Sequence, residues 1–407
     1  MINFQYTALN PKTGRHVKAN VQAANEQDAA GLIRKEALVP IEIKSLDQQG
    51  IKSSLSKLNR IDTKQKVLFS RQLSTLINAG LPIIQSLREV EAQTDSKPFK
   101  IIIQEIIRDV EGGSTLANSM SKHPKIFNQV YISLVEAGET SGTLDTALER
   151  LAVQQEKDAD LMKKIRGAMA YPVIVLVVMI AVVGFMLVKV LPQVQILYKG
   201  IPGTHLPIET ALLLDVSHLV IKGWWIFLII IIALTIFLSR WTKAGMGRQV
   251  KDKIKMRIWP VGPLFMKVYM ARFCRTSATL VASGVPLIQV LEVTGQAVDN
   301  IHIENSIHKA IEKVKGGTAL SEAIRNDPNF LSLVPNMLGI GEQSGATEVM
   351  LSKAADYYEK EVDGEVENIS NIIEPVLMVV LGIVAFTIVA AVLLPIYALA
   401  GQNFVQV

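Results

Sequence analysis

The sequence predicts a mainly α, polytopic membrane protein with two homologous cytoplasmic six-helix bundles, three transmembrane helices and a small N-terminal α+β module. Three observations lead there. Charged residues make up only 19 % of the 407 positions, against 49 % hydrophobic, where soluble domains carry about a quarter charged. The depletion is confined to three nearly charge-free stretches. Landmark residues of the first half also recur, in order, in the second.

Residues 1–50 form the α+β module. Phe4-Gln5-Tyr6-Thr7-Ala8 alternates like a strand, Asn10 to Gly14 is turn chemistry, and Val17 to Val21 alternates again. Glu26 to Lys35 reads as helix and Val39-Pro40-Ile41-Glu42-Ile43 as a closing strand. Met1 to Gln5 lacks a basic start followed by an apolar run, so no cleavable signal peptide is expected. A polar linker, 51–61, follows.

The first cytoplasmic bundle covers 62–170. Asp62 and Gln65 resemble a capping box, and Phe69, Leu73, Leu76 and Ile77 share a helical face. Gly80 stops that helix and Pro82 starts the next. Ile102, Ile103, Ile106, Ile107 and Val110 make a third stripe, ended by Gly112-Gly113. Short helices follow around Leu116–Met120 and Val130–Ala137. A long one begins after Gly142 and runs toward the membrane, burying Leu144, Leu148 and Leu151.

A helix needs about 20 apolar residues to cross the hydrocarbon core. The expected spans are 171–191, 223–239 and 373–398, with a periplasmic loop at 192–222, the second bundle at 240–371 and a periplasmic tail at 399–407. Trp224-Trp225 and Arg240-Trp241 suit the two interfaces of the middle span. Basic residues set the orientation. Lys157, Lys163, Lys164 and Arg166 precede the first span, and Arg240, Lys243, Arg248, Lys251, Lys253, Lys255 and Arg257 follow the second. The loop between them offers only Lys199 and Lys222. The N-terminus and both bundles are therefore expected inside and the C-terminus outside. The approach to the third span is acidic, from Glu359 to Glu367, and reads as a solvated helix face.

Self-comparison ties these elements together. Phe69-Ser70-Arg71 recurs as Phe273-Cys274-Arg275, Gly80-Leu81-Pro82 as Gly284-Val285-Pro286, and Gly112-Gly113-Ser114 as Gly316-Gly317-Thr318, all shifted by 204. Gly138-Glu139-Thr140-Ser141-Gly142 recurs as Gly341-Glu342-Gln343-Ser344-Gly345, and Tyr171-Pro172 as Glu374-Pro375, shifted by 203.

Several chemistries are excluded. No Gly-Lys pair occurs, so there is no Walker-type phosphate loop. Ser141 lies one position late for a Gly-x-Ser-x-Gly elbow, and the six histidines make no His-Glu-x-x-His site. A single cysteine, Cys274, excludes an intramolecular disulfide framework. No catalytic, cofactor or metal residue is expected, and no nucleic-acid partner. An oligomeric channel or transporter is the alternative reading, although the spans hold no ionisable group in their interiors.

The landmarks resemble the type II secretion protein F and type IV pilus PilC platform family. The resemblance rests on Phe69-Ser70-Arg71-Gln72-Leu73, Gly80-x-Pro82, Gly138-Glu139-x-Ser141-Gly142-x-Leu144-Asp145, Tyr171-Pro172, their second copies, and the Phe4-x-Tyr6-x-Ala8 start. Its overall character is similar to a mannose-sensitive haemagglutinin pilus system. The second copy departs from the pattern at Thr276-Ser277 and Thr347-Glu348.

The resemblance implies a homo-oligomeric platform in the bacterial inner membrane. Its implied partners are a cytoplasmic hexameric assembly ATPase, pilin or pseudopilin subunits, other inner-membrane assembly proteins and the lipid bilayer. The bundles would dock on the ATPase. The long helices after Gly142 and Gly345 would carry displacement to the first and third spans, and a small-residue groove (Gly382, Ala385, Ala390, Ala391) would hold a pilin helix. Arg71, Glu139, Arg275 and Glu342, charged groups beside repeated helix-end landmarks, are the candidate partner contacts; pairing within their own domains is the competing reading.

Overall fold

A computed structural model describes residues 2–9, 16–23, 26–35, 39–45, 61–190, 192–193, 196, 208–242, 245–259 and 261–403. The turn expected at Asn10–Gly14 and nearly all of the linker lie outside these residues.

The N-terminal module is a three-stranded antiparallel sheet in the order β2-β1-β3: β1 is Ile2–Leu9, β2 His16–Ala23 and β3 Val39–Ser45. Helix α1, Glu26–Lys35, follows β2. Ala8 of the central strand and Ile33 of the helix are buried together, with Ala19 and Val21 packed against them. Pro40 is tolerated because β3 is an edge strand, and the register slips between Thr7 and Ala8 beside it.

Each repeat then lays down the same series of helices. In the first they are α2 (Thr63–Asn78), α3 (Ile83–Gln93), α4 (Lys97–Glu111), α5 (Leu116–Ser121), α6 (Gln129–Ser141) and α7 (Leu144–Phe185). A π-helical turn, Met186–Val190, extends α7. Next come α8 (Ile208–Trp241) and α9 (Gly245–Arg257). The second series is α10 (Val261–Ala282), α11 (Leu287–Ala297), α12 (Ile301–Lys315), α13 (Leu320–Ile324), α14 (Leu333–Ser344) and α15 (Thr347–Asn403).

Two details differ from expectation. The helix carrying the second expected span starts at Ile208, so the segment 192–222 is helical over its last part. Its run Glu209-Thr210-Ala211-Leu212-Leu213-Leu214 is rich in helix formers, with no Gly or Pro to break it. The second bundle also gains a helix, α9, ahead of its six repeat-equivalent members. Asp252 of α9 is buried and accepts the Ile301 N–H at the start of α12, at 3.1 Å.

Both cores are built from aromatic and branched side chains. In the first repeat Phe127 packs against Phe69 and, edge-on, against Tyr131, with ring centroids 5.9 and 4.9 Å apart. In the second, Phe273 meets Phe330 edge-to-face at 5.2 Å. Such geometry suits the positive edge and negative face of the rings. Phe69 and Phe273 are repeat equivalents, so the duplication preserved the aromatic centre of each bundle.

The long helices change environment along their length. At 1.5 Å per residue, the 42 residues of α7 span about 63 Å, roughly twice the hydrocarbon thickness. Its first part is buried at Leu144, Leu148, Leu151 and Leu161, whereas Tyr171, Ile174, Val177, Ile180 and Phe185 face outward. In α15, Leu351, Ala354, Ala355, Tyr358 and Val362 are buried, and Val376, Val379, Ile383 and Phe386 are exposed. Rows of exposed branched and aromatic residues on a long helix are stable only against lipid or another apolar surface. Among the described residues, α7 and α15 are long and apolar enough to cross a membrane, and α8, sharply bent against α9, is a third candidate.

Candidate functional site

The repeated Gly-Glu-x-Ser-Gly motif is a joint between two helices. Gly142 ends α6 in the left-handed region at φ 72°, and Gly345 ends α14 the same way at φ 68°, a conformation that glycine adopts without strain. Four residues earlier, a Cβ on Gly138 would stand 2.6 Å from the Ala147 Cβ, and one on Gly341 would stand 2.7 Å from the Thr347 Cα. The glycines let each short helix close directly onto the long helix that enters the membrane.

Glu139 and Glu342 use this joint to tie down the neighbouring short helix. The Glu139 carboxylate accepts the Leu116 and Ala117 N–H groups at 2.6 and 2.9 Å. Glu342 accepts the Ser321 N–H at 3.2 Å and the Ser321 hydroxyl. A carboxylate at exposed helix N–H groups is favoured by charge and by hydrogen bonding.

The arginines are paired in the same duplicated fashion. Arg71 of α2 donates through Nε to Glu156 of α7 at 2.6 Å and bonds it again through its second nitrogen. Arg275 of α10 donates through Nε to Glu359 of α15 at 2.9 Å, reaches Ser352 at 3.3 Å and pairs with Asp356. The four residues proposed from sequence thus form two pairs of repeat equivalents, each holding its own repeat together. The Glu156 hydrogen bond holds Arg71 above the ordinary guanidinium value, and the Arg71 hydrogen bond lowers the Glu156 carboxyl.

Contacts that sequence reasoning did not pair join the two repeats to each other. Gln154 of α7 donates to the Thr276 hydroxyl of α10 at 2.8 Å in a buried contact. Lys157 reaches Glu359 at 3.3 Å and Lys164 reaches Asp363 at 2.7 Å, both from α7 to α15. Within repeat 2, Lys267 of α10 holds Glu361 and Glu365 of α15 at 2.8 and 2.6 Å. The acidic approach to the third span, expected as a solvated face, is therefore laced by lysines. Asp158 stands in this seam near Arg272, Glu359 and Arg275; burial pushes its carboxyl above the usual aspartate range, with Glu359 adding to the rise.

A signal for the seam did exist. Thr276, where the second copy departs from Gln72, is the residue that meets Gln154. Beside it, α6 packs on α11, with Ser133, Ala137 and Thr140 facing Ser283, Val285 and Pro286 across a cleft. Nothing in this arrangement sets a nucleophile against a base. What it offers is a contact between two helices that both run on into apolar segments.

Comparison with known proteins matches this geometry. The family model described as type II secretion system (T2SS), protein F matches residues 69–192 and 273–395, and that of the protein F N-terminal domain matches residues 1–44. The two main matches begin at Phe69 and Phe273, landmarks of the duplication, and end at a proline in each copy, Pro192 and Pro395, again 203 residues apart. The chain is 38 % identical over 408 residues to the type IV pilus assembly protein PilC of Thermus thermophilus, covering 99 % of each chain. It is 33 % identical to the PilC of Myxococcus xanthus, over 96 % of this chain and 93 % of that one. With the type II secretion system protein F of Vibrio cholerae it shares 30 % identity, over 97 % and 98 %.

Proposed function

The chain belongs to the type II secretion system protein F family, and on that premise we propose that it is the inner-membrane platform through which a cytoplasmic assembly ATPase drives pilin or pseudopilin subunits into a filament. The observation that carries this reading is the laced seam. Lys157–Glu359 and Lys164–Asp363 bind α7 to α15 just before both become apolar. A displacement imposed on either bundle would be shared by two helices entering the bilayer together, because packed interiors are dense and scarcely compressible.

Proposed with it is the orientation: N-terminus and bundles cytoplasmic, C-terminus periplasmic, as the basic flanks of the first two spans favour. The lysines that pair with Glu359, Glu361, Asp363 and Glu365 support keeping that acidic segment on the basic side. For Arg71, Glu139, Arg275 and Glu342 the geometry supports a positioning part, since each is engaged within its own repeat before any partner arrives. The relatives named above carry type IV pilus and type II secretion names, and no mannose-sensitive haemagglutinin subtype is proposed from them.

The test is copurification. The tagged full chain, extracted in mild detergent from its native host, should bring down a hexameric ATPase and a prepilin-like subunit. Recovery of neither, from cells that assemble the filament, would contradict the proposal.

A further inference from the structure

The contact between the repeats is head-to-tail. Repeat 1 contributes the outer face of α6 and α7, and repeat 2 contributes α10, the Gly284-Val285-Pro286 turn, α11 and the Glu359–Asp363 edge of α15. Burial shows that one half of this contact on each repeat is left over. In repeat 1, Gln154 is 3 % exposed and Ser133 is buried under repeat 2; their equivalents in repeat 2 are Tyr357, 49 % exposed, and Asn336, also exposed. Ile340, the equivalent of Ala137, is a branched apolar residue 53 % exposed between Asn336 and Gln343. On the other side, Val285 and Thr276 of repeat 2 are covered, whereas Leu81 and Gln72 of repeat 1 are half-exposed; Pro82 and Gln85 are exposed, as are their equivalents Pro286 and Gln289.

These two uncovered faces are sequence copies of faces that already fit each other. Leu81, Pro82 and Gln85 stand where Val285, Pro286 and Gln289 stand, and Ile340 replaces the smaller Ala137 with added apolar surface. The charges match as well. Within the chain, Glu359 takes both Arg275 from its own repeat and Lys157 from the other. Glu156 takes Arg71 from its own repeat, and the equivalent of Lys157 is Lys360, exposed on α15.

We infer that the α14–α15 face of repeat 2 (Asn336, Ile340, Gln343, Tyr357, Lys360) docks on the α2–α3 face of repeat 1 (Gln72, Leu81, Pro82, Gln85, Glu156) of a second copy of this chain, repeating between molecules the contact made inside each. The partners Lys157–Glu359 and Lys164–Asp363 are separated by 202 and 199 residues, just short of the repeat shift of 203, so helices α7 and α15 run parallel with an offset of about 1.5–6 Å. Nearer the membrane, the equivalent of Lys164–Asp363 is Glu367 facing Asp160, a like-charge pair, so the contact between copies is weaker than the one within a chain. The inference rests on the duplication and holds whatever the ATPase or filament.

The experiment uses the full chain in its membrane. Two differently tagged copies, one carrying Leu81→Cys and the other Ile340→Cys, are coexpressed and oxidised. Native Cys274 is buried, and burial raises its thiol pKa, so it does not compete. A crosslinked band carrying both tags is expected, and a chain carrying both substitutions should give multimers. Adding Lys360→Glu should lower the crosslink yield about twofold, as loss of a surface ion pair does. Absence of the two-tag band, crosslinking of the double variant only within one chain, or a yield unmoved by Lys360→Glu would each overturn the inference.

Discussion

Lys157 of α7 and Glu359 of α15 meet at 3.3 Å across the seam between the repeats, while Glu359 also takes Arg275 from its own repeat at 2.8 Å. One carboxylate thus touches both bundles, and Lys157 lies only fourteen residues before the first apolar stretch, with Glu359 about as far before the third. Four consequences can be measured.

Gly138→Ala and Gly341→Ala should each destabilise the chain by about 1–3 kcal/mol, the usual range for overpacking. The added methyl meets the Ala147 Cβ in one case and the Thr347 Cα in the other. Thermal unfolding in detergent should show a lowered Tm for both, whereas Gly167→Ala, inside α7 with open space around it, should raise Tm slightly, because alanine favours the helix.

The Gln154–Thr276 bond is a test of pairing inside the seam. Thr276→Val strands the Gln154 amide N–H in a buried site and should cost about 1–3 kcal/mol. Since the Gln154 Oε1 is also buried without a partner, Gln154→Leu combined with Thr276→Val should recover most of that loss. Additive losses in the double variant would show that the two residues do not share one interaction.

Asp158 gives the pH dependence. Burial raises its carboxyl above the unfolded value, against the pull of Arg272 and Arg275. The folded state therefore binds the proton more tightly than the unfolded chain, and ionised Asp158 opposes folding at pH values above its raised range. Asp158→Asn should accordingly raise Tm at pH 8, with the gain shrinking toward zero as pH falls through the ordinary aspartate range. A variant less stable at pH 8 would mean that the arginines outweigh burial.

Arg275 and Arg71 are equivalent in sequence and unequal in surroundings. The Arg275 side chain is 15 % exposed and engages three groups, and that of Arg71 is 38 % exposed and engages one. Arg275→Lys should therefore cost about 1–2 kcal/mol, while Arg71→Lys should fall within the ~0–1 kcal/mol of a surface pair. Equal losses would contradict the asymmetry of the seam.

Much of this was legible in the residues. The Gly138-Glu139-x-Ser141-Gly142 spacing marked a helix end, and its recurrence at Gly341 marked the duplication; both are local, and local backbone chemistry is what sequence displays best. The aromatic position Phe69 was visible as a member of an apolar stripe, and Phe273 as its copy in the second repeat. The pairing across the seam was not visible, because Gln154 and Thr276 lie 122 residues apart; only the departure of Thr276 from Gln72 pointed to it. The acidic segment 359–367 is a solvated face, as expected, with Asp363 and Glu361 45 % and 38 % exposed; only its lysine partners escaped notice, because they come from α7 and α10, far away in the chain. The residues that differ between the copies, Thr276 against Gln72 and Tyr357 against Gln154, held more information about the seam than those that agree.

The sharpest test of the platform account is to ask which face of the membrane each bundle occupies. Ser141→Cys in the first repeat and Ser344→Cys in the second place exposed thiols at equivalent helix ends. In intact cells with a permeabilised outer membrane, a membrane-impermeant maleimide should label neither, and in inverted inner-membrane vesicles it should label both. Labelling of one thiol in intact cells and of the other only in inverted vesicles would place the bundles on opposite sides and contradict the account.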